Sequence, residues 1–428
     1  MTLRTKFSLI LLSATLAFYA GFGAWISTRA QQPANDPNAQ LRIFDNVLQH
    51  IQNDYVDEPN MEKVRAGALR GLAYGLDPYS TYLTAEQVKE FNDNAKKNDV
   101  GIGAELSQVA SYLYVIAPMK GSPADVAGIR SGDIIEYIDG KATRDISLYD
   151  AKQLLTGAAG SEVKLRVLRA NARPLTLTVK RGSFRAPAAE ARVEAGKIGV
   201  VKINSLGDGE SADVRTRVQE LQKQGVQKIV LDLRDAAGGS LAEGIAVSNL
   251  FIKDGAIAQT IGREGKSLKT FTADPKAMIF SGPVVAIINT GTAGAAEIIA
   301  SALIERNRGQ VVGEKSFGAG AEQQLFSLRD GDGLLLTVVK WASANAKPFL
   351  GEDRTRSGIT PSVEVKTPEV ADAVAPDDLN GNDDDAAKPG QAPDKGGITP
   401  EVKPVDDVQL KKALELLREN KPAATKVA

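Results

Sequence analysis

The apolar positions of this 428-residue chain change period several times from one end to the other. Behind Arg4 and Lys6, residues Phe7 to Ile26 form one continuous apolar run. A positively charged start followed by an apolar stretch is the layout of an export signal, and a run of this length also spans a bilayer. Thr28-Arg29-Ala30 is a weak cleavage site. The expectation for residues 1–30 is therefore export with a retained anchor over 7–26. The remainder would then work in the periplasm or another space outside the cytoplasm. Residues 31–39 are polar with prolines and read as a linker. From 40 to 97 the pattern is helical: Phe44, Val47, Leu48, Ile51 and Tyr55 recur on one face. Asp77-Pro78-Tyr79-Ser80 reads as a turn, and Thr84 with Gln87 has capping-box spacing ahead of a short helix.

Residues 98–183 switch to short alternating strands, at Tyr112–Ala117, Ile134–Ile138, Val163–Leu168 and Leu175–Val179. Ser122-Pro123-Ala124 opens a short helix between them, and a second helix is expected over 147–156. Residues 184–365 alternate apolar strands with helices. The strands fall at Ile198–Ile203, Ile229–Leu233, Val284–Ile288 and Leu334–Val339, the helices near 210–224, 240–252 and 294–305. That order predicts a sheet covered by helices. Residues 366–404 are rich in Asp, Pro, Ala, Gly and Lys and carry too little apolar surface to order themselves. Gly-Ile-Thr-Pro flanks this flexible stretch twice, at 358–361 and 397–400. Over 405–421, Leu410, Ala413, Leu414 and Leu417 form one stripe, predicting a helix docked by that face.

Composition narrows the chemistry. A net charge of −1 gives no footprint for nucleic acid. The absence of cysteine excludes disulfides, thiolate metal sites and a cysteine nucleophile. His50 is the only histidine, and it falls within the helical repeat above, so it reads as a helix residue. No metal or other cofactor is expected, and any catalysis must run without histidine.

Several motifs carry a resemblance. The Gly-Ile-Gly loop at 101–103 and GSPADVAGIRSGDIIEYIDG at 121–140 are similar to a PDZ domain. KIVLDLRDAAGGSLAEGIAVSNLFI (228–252), VVAIINTGTAGAAEIIASAL (284–303) and VVGEKSFGAGAEQQ (311–324) resemble the C-terminal processing, or tail-specific, serine peptidases. So do GLAYGLDPYSTYL (71–83) and QLKKALELLRE (409–419). The resemblance implies a multidomain α/β architecture: an N-terminal helical segment, a PDZ-like β domain, a crotonase-like α/β peptidase core and a C-terminal helix. It also implies a serine nucleophile, a desolvated lysine as base and a glutamine that holds the lysine.

Those roles fall on unexpected residues. The family's nucleophile turn reads Thr-Ala-Ser-Ala-Ser-Glu, whereas residues 292–297 read Thr-Ala-Gly-Ala-Ala-Glu, placing Gly294 at the nucleophile. The lysine loop reads Phe-Gly-Ala-Gly at 317–320, placing Ala319 at the base, 25 residues later. Gln323 keeps the glutamine position, and Gly238, Gly239 and the amide of Ala295 match an oxyanion-type pocket. The expectation is a catalytically impaired or inactive homologue that binds C-terminal tails or unfolded segments of exported proteins. Its PDZ-like domain would take the tail with Gly101, Ile102, Gly103, Ala104 and Leu155, and an active paralogous peptidase is a candidate partner. Two alternatives stand beside it. One is an active endopeptidase rewired through Thr292, Ser301, or Lys315 with Ser316; the other is a structural scaffold.

Overall fold

The computed structural model describes residues 37–94, 100–144, 146–367 and 406–419. The anchor read over 7–26 and the second Gly-Ile-Thr-Pro copy lie outside the described residues, as does most of 366–404. No helix among the described residues is long and apolar enough to cross a membrane. The chain divides into two compact units, residues 1–68 and 69–428. The first holds α1 (Pro37–Asp54) and the start of α2 (Met61–Tyr74). Asn60 Oδ1 caps α2 by accepting from Lys63 N at 2.9 Å. His50 lies on α1, exposed, its Nδ1 2.6 Å from Asp54 Oδ2 one turn on.

The second unit begins with β1 (Thr81–Leu83) and α3 (Ala85–Asn94). The capping box forms: Thr84 N donates to Gln87 Oε1 at 3.1 Å, and Gln87 N to Thr84 Oγ1 at 3.4 Å. The strand at 81–83 corrects the wholly helical reading of this region, because it pairs antiparallel with a strand some 250 residues away. Next comes a β domain of β2 (Ala104–Val109), β3 (Tyr112–Pro118), α4 (Pro123–Val126), β4 (Ile134–Ile138), β5 (Lys141–Ala142), α5 (Leu148–Leu155), β6 (Glu162–Leu168) and β7 (Leu175–Lys180). Its sheet runs β2-β3-β4-β6-β7, so β2 is an edge. Alternation sets the core: Val163, Leu165 and Val167 are buried while Glu162, Lys164 and Arg166 between them face solvent. Ser122 and Ser147 cap α4 and α5 by accepting from Asp125 N and Asp150 N.

The remaining elements are β8 (Glu190–Glu194), β9 (Ile198–Lys202), α6 (Glu210–Lys223), β10 (Lys228–Asp232), α7 (Leu241–Asn249), β11 (Ala256–Ile261), β12 (Ser267–Thr272), β13 (Val284–Ile288), α8 (Ala295–Glu305), β14 (Gly309–Gly313), β15 (Ala321–Ser327), β16 (Gly333–Ser343), β17 (Val363–Glu364) and α9 (Val408–Glu419). One sheet orders β17-β14-β13-β10-β9-β8, parallel except for β8. The middles of its central strands, Ile229–Leu231 and Val284–Ile288 among them, are continuous apolar runs because both faces are covered. Val201, Leu231, Ala286 and Val311 face α6, α7 and α8, while Val200, Val230, Val285 and Val312 face Ala413, Leu414, Leu416 and Leu417 of α9. Arg234 ties that helix down, bonding Asp407 at 2.9 and 2.8 Å and Asp232 at 2.7 Å. A second, antiparallel sheet joins β1, β16, β11 and β12, with β15 on β16. Of its strands only part of β16 showed in the apolar pattern.

Candidate active site

Strand β13 ends at Ile288, the chain turns through 289–294, and α8 begins at Ala295. Gly294 closes the turn at φ 61°, ψ −115°, a conformation costly for any residue with a Cβ. A strand-to-helix turn of this kind is where acyl-transfer enzymes lift a nucleophile out of the chain. A Cβ at Gly294 would have room, its nearest neighbour being Trp341 Cζ3 at 3.8 Å. The N–H of Ala295 is buried and meets no acceptor among the described residues. Those of Gly238 and Gly239 are likewise without acceptors there. Gly239 must be glycine: its φ is 89° and a Cβ would stand 2.3 Å from Leu206 O.

Glu297, fully buried, links the Gly294 turn to the Phe317–Gly320 loop. Oε2 accepts from Gly294 N at 2.8 Å and Ala319 N at 2.9 Å; Oε1 accepts from Gly318 N at 2.8 Å and from the Ser316 hydroxyl. Burial outweighs these four bonds and pushes its carboxyl up to about 7. Sequence reasoning missed this residue. The available signal was the acidic residue that closes the turn motif. Ala319, 9% exposed, shares a cluster with Phe317, Ala293 and Ala237. Gln323 Nε2 donates to Thr337 Oγ1 at 3.3 Å, and Thr337 in turn donates to Asp77 Oδ1 at 3.1 Å.

The other hydroxyls and the nearby amine are engaged elsewhere. Thr292 Oγ1 donates to Leu233 O at 2.9 Å and Ser301 Oγ to Ile298 O at 3.1 Å, both buried. Ser316 Oγ is held between Glu297 and Ile359 N. Lys315 Nζ donates to Thr355 O at 2.6 Å.

The β domain lies against this site. Tyr114, Ile116, Ala117 and Ile134 pack onto Ala237, Ala293, Phe317 and Ala319, with the Tyr114 and Phe317 rings stacked at 5.6 Å. Ser131 Oγ meets Asp235 Oδ1 at 2.8 Å beside Gly291. On the same domain, the N–H groups of Gly101, Ile102 and Gly103 have no acceptor among the described residues. No other described segment bonds to the backbone of β2 on its outer edge. Ile102 and Leu155, each 3% exposed, sit in the domain core; Ala104 is half-buried at the head of β2. Glycine at 103 has a different cause from the close approach of an anion: φ is 74°, and Phe184 and Ser122 fill the space of a Cβ at 2.4 and 2.5 Å.

A peptidase family S41 model matches residues 197–365, and a PDZ-domain model residues 114–169. The carboxy-terminal processing protease CtpA of Bacillus subtilis (strain 168) is 31% identical over 346 residues, 81% of this chain and 73% of that protein. The chain belongs to the C-terminal processing peptidases of family S41. Among solved structures, the photosystem II D1 C-terminal processing protease matches with a TM-score of 0.63 at 26% identity, covering 76% of this chain and 86% of that one. The multidomain α/β architecture, with its PDZ domain and S41 core, is thus the family's own. Within that S41 core Glu297 clasps the Gly294 turn to the 316–319 loop, and the PDZ domain packs over Ala237, Ala293, Phe317 and Ala319.

Proposed function

We propose that this protein is an exported S41 homologue that has lost peptide hydrolysis and binds C-terminal tails of exported proteins through its PDZ domain. One observation carries the loss: the turn that should present a hydroxyl presents Gly294, and the clasped loop that should present an amine presents Ala319. Serine–lysine hydrolysis needs the lysine to take the serine proton as the hydroxyl attacks the peptide carbonyl. Orphan amides at 238, 239 and 295 can still hold a carbonyl oxygen, but an oxyanion pocket alone leaves the rate orders of magnitude lower. The hydrogen bonds that occupy Thr292, Ser301, Ser316 and Lys315 argue against a rewired site.

Tail binding rests on the amides at 101–103, without acceptors among the described residues and suited to a terminal carboxylate, and on the edge of β2, which no other described segment pairs and which accepts an added strand. Free peptide tails with apolar last residues should bind, and amidation of the terminus should weaken them about tenfold or more in fluorescence polarisation. Equal binding of acid and amide would sink this mode. A scaffold role has one observation in its favour, the packing of Tyr114 and Ile116 over the cleft floor. It predicts no tail binding at all in the same assay. Held near the membrane, a tail-binding homologue would instead deliver tails to an active paralogue.

Export and anchoring rest on Arg4, Lys6 and the apolar run from Phe7 to Ile26. Fractionation of a tagged full chain should place it in the membrane fraction, cut by protease added from the non-cytoplasmic side. Recovery as soluble cytoplasmic protein would end the proposal.

A further inference from the structure

Arg354 follows the second sheet, on the loop after β16. Its guanidinium lies 4.2 Å over the Phe317 ring, and Nη1 is buried with no hydrogen-bond partner. Among the described residues the side chain makes no hydrogen bond or ion pair. The acidic groups nearest it are Glu297 and the phenols of Tyr114 and Tyr79, which burial keeps neutral; Glu297 and Tyr114 both adjoin Ala319. Burial, with the positive charges of Arg354 and Lys347 nearby, disfavours the charged form of Lys315, which has no ion pair among the described residues. Of the nearby carboxylates, Asp353 is bonded to Thr355 and Arg356, and Glu352 to Arg356. A guanidinium cannot shed its proton, so burying it unpaired is costly unless an anion completes the site.

We propose that the emptied catalytic site is a second carboxylate receptor, in which Arg354 holds the C-terminal carboxylate of a polypeptide. This rests on the reading of the core as catalytically empty, and it is separate from tail capture by the PDZ loop. A planar guanidinium fork matches a carboxylate with two parallel hydrogen bonds. The amides of Gly238, Gly239 and Ala295 have no acceptor among the described residues, and the Glu105 carboxylate stands beside Gly238. Gly294, beside Trp341, and the alanines at 293 and 319 present only small side chains here. Entry displaces Tyr114 from Phe317. The cleft then holds what a peptidase would have released, the acid end of a chain.

The chain has two tryptophans, Trp25 and Trp341, so in a Trp25→Phe background Trp341 alone reports the cleft. Titration of the full chain with N-acetyl-dialanine as free acid should change Trp341 emission saturably. The amide should act at concentrations at least about tenfold higher. Arg354→Met should abolish the response while melting no lower than the parent, since it removes an uncompensated charge. Arg354→Lys, which keeps the charge and loses the fork, should fall between and serves if the methionine variant misfolds. Inorganic phosphate acting as well as the acid would make the site a general anion site and overturn the assignment. So would equal responses to acid and amide, or a response untouched by either Arg354 variant. A longer labelled tail, read by polarisation, reports the PDZ loop separately. Normal tail binding beside a silent Trp341 removes this inference and keeps the PDZ reading; the converse result removes the PDZ reading alone.

Discussion

Gly294→Ser together with Ala319→Lys is expected to restore slow cleavage of unfolded protein, while either change alone stays as inert as the parent. The singles fail for separate reasons, one lacking a base and the other a nucleophile, so the pair should be strongly non-additive. The framework for the reaction persists. Glu297 still clamps position 294 to position 319, Gln323 is in place on β15, and the amides of 238, 239 and 295 have no acceptor among the described residues. A Cβ at 294 has space, but φ 61° with ψ −115° adds roughly 1–3 kcal/mol of strain that glycine avoids. Lysine at 319 enters a position that is 9% exposed, where burial and the charge of Arg354 favour its neutral form, the form a base requires. A gain on the order of a hundredfold or more over each single, in a casein-type assay with thermal melts alongside, is the expected result. A parent protein that cleaves after contaminating proteases are removed, or an inert double variant that melts like the parent, would refute the account of the empty site.

Glu297→Ala should cost about 3–5 kcal/mol of stability, because it strands Gly294 N, Gly318 N, Ala319 N and the Ser316 hydroxyl in a buried site. A loss below about 1 kcal/mol by chemical denaturation would show that the clasp is ornamental. The same residue makes stability depend on pH. Burial holds both Glu297 and Glu210 up at about 7, the latter with help from Asp213 and Glu243. Between the ordinary value of 4.5 and about 7 the folded chain keeps protons that the unfolded chain has released, so stability falls as pH rises through that window. Asp232 and Glu243 are shifted downward, and what they contribute is already complete above 4.5. Denaturation at pH 5 and pH 7.5 should therefore show the protein weaker at the higher pH, with Glu210→Gln reducing the difference. A flat or rising profile would contradict the assignment.

What could be read from the chain alone was whatever neighbours in sequence determine. The buried parallel strands announce themselves as apolar runs because each is covered on both faces; β10 and β13 need no partner to be recognised. Capping serines and the Thr84–Gln87 box satisfy helix ends within three residues. The family motifs and the interval from 294 to 319 are likewise linear features, and by themselves they single out Gly294, Ala319, Gln323 and the 238–239 glycines.

Tertiary structure decided what depends on pairs far apart in sequence. β1 forms a strand only because β16 offers it an edge, and β11, β12 and β15 carry too weak an alternation to stand out alone. Glu297 looks like an ordinary first-turn acid until the 316–319 loop closes on it, since hydrogen bonds supplied by a distant segment leave no periodic trace. Gly103 is explained by Phe184, some eighty residues on, and not by its own loop. Arg354 shows nothing in sequence, because a cation is distinctive only when burial is seen together with the lack of any partner. The fold class was therefore a local property of this chain, while the character of its cleft, clasped by a buried acid, roofed by Tyr114 and edged by an unpaired guanidinium, arises from contacts that only folding brings together.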